Sequence, residues 1–240
     1  MAMEIKTSSL LVFPPRLETK RTKFLLQPFP PEKPVAMSVF RPSARALITG
    51  GASGIGYAVA QLCLAHSMHV TIVDASSAAL SHASQTLTGD IAFLNSDVSS
   101  ASAWSALREQ VGPVDFLMLN AGIMRKGTWG DADYFDAILA TNLGGVVAGL
   151  NAFVPAFLEK RAGEEAPRAI VITGSKQGIT NPPGNPAYNA SKAAVKALAE
   201  HLSYDLKDSG VGVHLLVPGW TFTGLVSSMA CVSFHCLSGH

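Results

Sequence analysis

The stretch Thr49-Gly50-Gly51-Ala52-Ser53-Gly54-Ile55-Gly56 constrains this chain more than any other part of it. An apolar run, Ala46–Thr49, leads into the glycines, and a segment with helical spacing, Ile55–His66, leads out. A strand, a tight glycine turn and a helix in that order place a helix N-terminus, with its free N–H groups, at the end of the strand. Glycine lets the chain turn sharply, lets backbone N–H groups approach a pyrophosphate, and lets helix and strand pack closely. Thr49, Gly50, Ser53, Gly54, Ile55 and Gly56 are therefore candidate cofactor contacts. The plain alternative is a glycine-rich turn that holds no ligand.

The rest of the chain repeats the same alternation. Strand-like runs at Val70–Asp74, Ile91–Asn95, Phe116–Asn120, Ala169–Thr173 and Val213–Val217 are separated by helical segments. The helical segments are Ala78–Leu87, Ala101–Val111, Tyr134–Leu158 and Ala187–Lys207. Strands that recur with helices between them imply right-handed crossovers and a doubly wound parallel sheet with helices on both faces. This is the α/β, three-layer αβα architecture of the Rossmann type. With 240 residues, the chain has room for one such domain. Its 48% apolar and 15% charged composition suits strands buried on both faces.

Asp74 ends the second strand, 18 residues after Gly56. An acidic side chain at that place accepts hydrogen bonds from the adenosine ribose hydroxyls and repels a 2′-phosphate. Neither the glycine turn nor Ala75-Ser76 offers an Arg or Lys to receive that phosphate. The expected cofactor is NAD rather than NADP.

The formal net charge is +1, with no basic face interleaved with aromatics, so nucleic acid is not an expected partner. Three cysteines, Cys63, Cys231 and Cys236, do not make a disulfide framework. Cys63 reads as a small buried hydrophobe. The tail holds Cys231, His235 and Cys236 but no second half of a metal site, so no metal is expected. The least polar stretch, Leu143–Leu158, is shorter than a membrane span and reads as a buried helix. A reducing, cytoplasmic setting is expected.

Residues 1–42 contain seven prolines and no sustained periodicity, and are expected to form a disordered extension. Two other readings stand beside it: a basic targeting segment, and a working start at Met37. The domain is expected over 43–225, with an irregular tail over 226–240.

Tyr188 and Lys192 are four apart in a helical segment and so share a face. A free phenol ionises near pH 10, and a neighbouring ammonium favours the phenolate, which suits the pair to acid–base chemistry. Ser175 follows the fifth strand, 13 residues before Tyr188. Asn142, followed by Leu143-Gly144-Gly145, marks a weak point in a long helix.

Together, Thr-Gly-x-x-x-Gly-x-Gly and Tyr188-Asn189-Ala190-Ser191-Lys192 resemble the short-chain dehydrogenase/reductase family. The resemblance runs from residue 45 to about 225 and includes, in order, Asp97-Val98, Asn120-Ala121-Gly122, Asn142, Ser175 and Pro218-Gly219. It implies that Asp97 and Val98 adjoin the adenine, and that Asn120, Ala121 and Gly122 frame the cofactor cleft. It further implies that Lys192 holds the nicotinamide ribose, and that Pro218, Gly219, Thr221 and Thr223 meet the carboxamide. By the same resemblance Ser175 polarises the substrate oxygen, Tyr188 exchanges its proton, and Asn142 holds a water beside Lys192. A homo-oligomer is implied as well.

Two features depart from the family's pattern. Lys176 stands where small residues are usual. Family members usually continue into a substrate-covering region and a seventh strand, and the residues after Thr223 show neither pattern. The function expected is NAD(H)-dependent interconversion of a small-molecule secondary alcohol and a ketone, without a membrane partner. The alternative is a cofactor-binding protein with little turnover. Gly178–Pro186, Trp220 and Phe222 suggest an apolar substrate pocket.

Overall fold

A computed structural model of the chain describes residues 38–159, 166–219 and 221. Expectations for residues 1–37, for Trp220, Phe222 and Thr223, and for the tail from 226 onward lie outside the described residues.

Six strands form one parallel sheet: β1 (Arg45–Thr49), β2 (His69–Asp74), β3 (Ile91–Asn95), β4 (Phe116–Leu119), β5 (Arg168–Thr173) and β6 (Val211–Leu216). Their order is β3-β2-β1-β4-β5-β6. The chain leaves β1 toward β2 on one side and returns to β4 on the other, so the crossover direction reverses between β1 and β4. Open sheets of this kind bind ligands in the crevice outside the carboxyl ends at that reversal. In register, Thr49 lies opposite Val73, and Ile48 opposite Met118, which brings the ends of β1, β2 and β4 together.

Side chains alternate across the sheet and feed two cores. On one face Ala46, Ile48, Val70, Ile72, Phe116 and Met118 pack with α1 (Gly54–Ala65) and α2 (Ser77–Thr86). On the other, Leu47, Leu117, Leu119, Ile170 and Ile172 pack with α3 (Ala101–Val111), α5 (Gly145–Leu158) and α7 (Pro186–Asp205). Cys63 is fully buried in the first core, where burial pushes its thiol up to about 12. At neutral pH it is an unreactive thiol, as a packing role requires.

Helix boundaries follow local chemistry. Ser76 caps α2 by accepting from the Ala79 N–H, and Asp131 caps α4 (Ala132–Leu139) by accepting from the Tyr134 N–H. Pro186 opens α7, where its missing N–H would have no partner anyway.

The segment Tyr134–Leu158 differs from the single helix its spacing predicts. A π-helical turn, Ala140–Gly144, separates α4 from α5. Asn142 sits inside that turn and is fully buried. Its amide binds both backbone groups of Ile123, accepting from the N–H at 2.7 Å and donating to the carbonyl at 3.0 Å. The extra residue in the turn lets the side chain reach that loop while the helix continues. The apolar stretch is also longer than Leu143–Leu158. The whole helical run, Ala132–Leu158, spans 27 residues and is long and apolar enough to cross a membrane by length and composition. In this fold Val146, Gly149, Phe153 and Phe157 of that run are buried in the domain.

Residues 38–42, within the segment expected to be disordered, lie against the domain. Val39 and Phe40 pack on the first core, and Phe40 stacks with Phe116 at 5.5 Å. Arg41 donates to the Pro167 carbonyl at 3.0 Å and pairs with the buried Asp115 at 3.2 Å. Asp115 also accepts from the Arg45 N–H at 2.8 Å, which ties this arm to the start of β1.

Candidate active site

The glycine turn makes a backbone cradle at the end of β1. Gly50 has φ +62° and Gly54 has φ +54°, a region that other residues enter only with strain. A Cβ on Gly56 would lie 2.3 Å from the Gly50 carbonyl oxygen, so only glycine lets the start of α1 close on the turn. Ser53 precedes α1 in extended conformation and its hydroxyl makes no capping bond. Gly54 and Ile55, the first residues of α1, line the cleft, and the uncapped N–H groups of this helix start are the donor set a phosphate requires. Asp74, at the end of β2, lines the same cleft. Its carboxylate accepts from the Ala52 N–H at 3.3 Å and the Ser76 N–H at 3.0 Å, and these hold it beside the glycine turn. A nucleotide fits these residues: backbone donors for the phosphates and a carboxylate for the ribose.

Three polar side chains lock the strand ends beneath the cradle. The Thr49 hydroxyl donates to the Met118 carbonyl at 3.3 Å and accepts from the N–H groups of Asn120 and Ala121. Asn120 donates from its amide to the carbonyls of Thr49 and Gly50, and accepts from the Thr173 hydroxyl at 3.1 Å. β1, β4 and β5 are thereby fixed to one another, and Thr49 and Ala121 act from beneath the cleft rather than in its wall.

The second half of the cleft is built on β5 and α7. Tyr188 and Lys192 face it from successive turns of α7, with 5% and 4% exposure. The Lys192 ammonium donates to the Thr173 carbonyl at 2.8 Å and lies 5.7 Å from the centre of the Tyr188 ring. Ser175, past the end of β5, shares a hydrogen bond with the Tyr188 hydroxyl. Ser191 donates to the Tyr188 carbonyl at 2.7 Å and accepts from Asn142 at 3.3 Å, so Asn142 touches α7 as well as Ile123. Gly122 fits between them: a Cβ there would stand 3.3 Å from the Asn142 carboxamide oxygen and 3.6 Å from the Lys192 nitrogen.

Burial pushes both ionisable groups toward their neutral forms. The Lys192 ammonium falls from 10.5 to about 8. The Tyr188 phenol is raised above 10 by burial, against which the Ser175 hydrogen bond pulls it down. The four-residue spacing predicts only the lowering effect of the lysine; in the fold, desolvation is the larger influence on the tyrosine.

The cleft encloses about 440 Å³. It brings together Gly50, Ser53, Gly54, Ile55, Asp74, Asn120 and Gly122 at one end with Ser175, Tyr188, Lys192, Pro218, Gly219 and Thr221 at the other. Gly56 and Asn142 support it without lining it. Asp97 and Val98 do not line it either. The Asp97 carboxylate accepts from the Ser99 N–H at 2.9 Å, while Val98 is buried and its carbonyl accepts from the Trp104 indole at 2.9 Å. Thr223 lies outside the described residues.

The structure adds Met124, Thr173, Gly174 and Gln177 to the wall, and places there Thr180 and Pro182 of the segment Gly178–Pro186 that the sequence assigns to the substrate pocket. Gln177 and Thr180 belong to a short helix, α6 (Gln177–Thr180), that four residues of sequence cannot announce by periodicity. Its close packing has a sequence signal in Gly178, where a Cβ would fall 2.5 Å from the Lys192 carbonyl carbon. Among the described residues no group of three or more His, Cys, Asp or Glu could hold a metal.

Residues 44–230 match the family model described as short chain dehydrogenase. The galactitol 2-dehydrogenase (L-tagatose-forming) of Cereibacter sphaeroides is 33% identical over 201 residues, covering 80% of this chain and 77% of the relative. A short chain dehydrogenase/reductase from Burkholderia phymatum, solved in complex with NAD, superposes with a TM-score of 0.72 at 32% identity, covering 80% of this chain and 70% of that one. The 3-ketoacyl-(acyl-carrier-protein) reductase of Brucella melitensis, solved with NADH, gives 0.71 at 26% identity, with coverages of 78% and 79%.

Proposed function

Because the chain belongs to the short-chain dehydrogenase family of oxidoreductases, we propose that it interconverts a secondary alcohol and a ketone with NAD(H), using Tyr188 as the proton-exchanging group. The observation that carries this reading is the meeting, in one cleft, of the glycine cradle and Asp74 with a phenol held by Ser175 and backed by Lys192.

When bound, the nicotinamide supplies or accepts the hydride. The protein's own work is to place the substrate and move a proton. Ser175 and Tyr188 line the same end of the cleft, where their hydroxyls can give a substrate oxygen two hydrogen bonds as negative charge builds on it. In the reducing direction Tyr188 gives its proton to that oxygen; in the oxidising direction it takes the proton back. Lys192 keeps positive charge behind the phenol and favours its ionised form. Asn142 holds the Ile123 loop against α7 and so fixes the floor from which Lys192 projects.

Asp74 favours NAD over NADP. A 2′-phosphate brought to the end of β2 would meet a carboxylate, and like charges at hydrogen-bond distance disfavour binding.

The test pairs binding with turnover. A nucleotide that binds the folded chain raises its melting temperature. NAD should do so more than NADP, and Asp74→Ser should narrow the gap. Tyr188→Phe should keep the NAD response and lose turnover by at least about 100-fold. Normal turnover in Tyr188→Phe would remove the proton-transfer assignment; an equal response to both nucleotides would remove that of Asp74.

A further inference from the structure

Lys176 follows Ser175 and lines the same cleft with its side chain exposed. Its backbone is fixed on both sides. The N–H donates to the Pro218 carbonyl at 3.0 Å, and the carbonyl accepts from the Ile179 and Thr180 N–H groups at 3.0 and 2.9 Å. Its ammonium, by contrast, makes no ion pair among the described residues.

The other charged groups in the wall are differently engaged. Asp74 belongs to the glycine-turn end, and Lys192 is buried and bonded to Thr173. Among the described residues, the catalytic end therefore carries one uncommitted cation on a flexible four-carbon stem. It sits one residue, about 3.8 Å along the backbone, from the serine that holds the reacting oxygen. Met124 and Pro182 give the same end apolar wall. A neutral ketone would use that wall and leave the ammonium without a role. A ligand with a short apolar stretch and a carboxylate would use both, through a charge-assisted hydrogen bond to the ammonium.

We propose that Lys176 is a specificity-determining residue that binds a carboxylate on the substrate, so that this enzyme acts on hydroxy and oxo acids in preference to neutral alcohols and ketones. This rests on the reading above for where the reacting oxygen sits. The carboxylate lies several bonds from the carbinol carbon, because the lysine stem must span from its own Cα to the substrate's far end.

Binding and turnover test it separately. With the full chain and saturating NADH, calorimetric titration compares hexanoate with hexanamide, neither of which can react. Hexanoate should bind about tenfold more tightly. Lys176→Met should abolish that preference and Lys176→Arg should retain most of it. Turnover of 4-oxopentanoate against its methyl ester should show the same preference in KM, and the same loss in Lys176→Met.

Equal binding of the two probes, or a preference that survives Lys176→Met, overturns the assignment. So does a Lys176→Met variant that loses affinity for NADH instead of hexanoate, since that would put the ammonium on the cofactor's phosphates. If neither ketone turns over while hexanoate still binds through Lys176, the alcohol–ketone reading fails and the anion site stands. Turnover of both ketones without preference for the acid has the opposite meaning: the alcohol–ketone reading stands and the anion site fails.

Discussion

Replacing Lys192 with methionine should make the nucleotide-free protein more stable at neutral pH while removing its activity. Lys192 is 4% exposed, and burial lowers its pKa from 10.5 to about 8. At roughly 1.36 kcal/mol per pKa unit, that gap is about 3 kcal/mol of folding free energy withheld while the group is charged. Methionine fills similar space without charge, but leaves the Thr173 carbonyl without its 2.8 Å donor. An unpaired buried acceptor costs about 1–2 kcal/mol. The net gain at pH 7 is about 1–2 kcal/mol, or roughly 2–8 °C in melting temperature for a domain of this size.

The pH dependence gives the sharper test. Below pH 8 the folded and unfolded chains both carry the lysine charge, so the folded state bears its full desolvation cost. Between about 8 and 10.5 the folded lysine is neutral while the unfolded one is still charged, and wild-type stability recovers. At about pH 9.5 roughly 2 kcal/mol should have returned, so the advantage of Lys192→Met should shrink to near zero or reverse. Urea unfolding of both proteins at about pH 7 and about pH 9.5, without nucleotide, reads this difference directly. A variant less stable than wild type at the lower pH, or a difference unchanged at the higher, would refute the reasoning.

Two further substitutions probe the frame around the site. Gly56→Ala places a methyl 2.3 Å from the Gly50 oxygen, so α1 must move off the turn. We expect about 1–3 kcal/mol of destabilisation and at least roughly a tenfold loss of NAD affinity, measured by unfolding and by nucleotide titration. Arg41→Ala removes one partner of the buried Asp115 and frees the Pro167 carbonyl. Because Arg41 is partly exposed, the expected loss is about 1–2 kcal/mol in urea unfolding, with nucleotide binding kept.

Much of this architecture is legible in the sequence because a parallel α/β sheet writes each element in a strong code. The strand runs are nearly all apolar, and Ile91–Asn95 and Ala101–Val111 fall in the fold where their spacing puts them. What is not legible depends on contacts between distant residues. The π-helical turn at Ala140–Gly144 exists because Asn142 reaches Ile123 and Ser191, and no local propensity records those partners. α6 is four residues long and is held by packing on Lys192, which only Gly178 hints at. Val39 and Phe40 sit in a proline-rich context that reads as unstructured, yet Phe116 and His66 give Phe40 aromatic neighbours that composition cannot reveal. At the site, the motifs mark the glycine turn, Ser175, Tyr188 and Lys192. They mark Asp97 and Val98 equally, though in the fold these two serve a turn and the core rather than the cleft wall.

On the proposed reading, the opposed shifts of Tyr188 and Lys192 bear on how this cleft would work in both directions. In the nucleotide-free chain, burial keeps the phenol protonated well past neutrality, the form that gives a proton to a ketone oxygen. Alcohol oxidation needs the phenolate, so something must offset burial. Lys192, with a pKa of about 8, is charged in most molecules at neutral pH but is itself held by Thr173. The oxidised nicotinamide ring carries a positive charge and the reduced ring does not. On the proposed reading, Tyr188 should therefore ionise at lower pH with NAD bound than with NADH bound. Ultraviolet phenolate titration of wild type against Tyr188→Phe, in the three states, isolates this one group. That ordering would make the cofactor's redox state the agent that sets the direction of proton transfer at Tyr188. Identical titrations in all three states would leave burial and Ser175 in sole control of the phenol, with only a small phenolate fraction for alcohol oxidation at neutral pH.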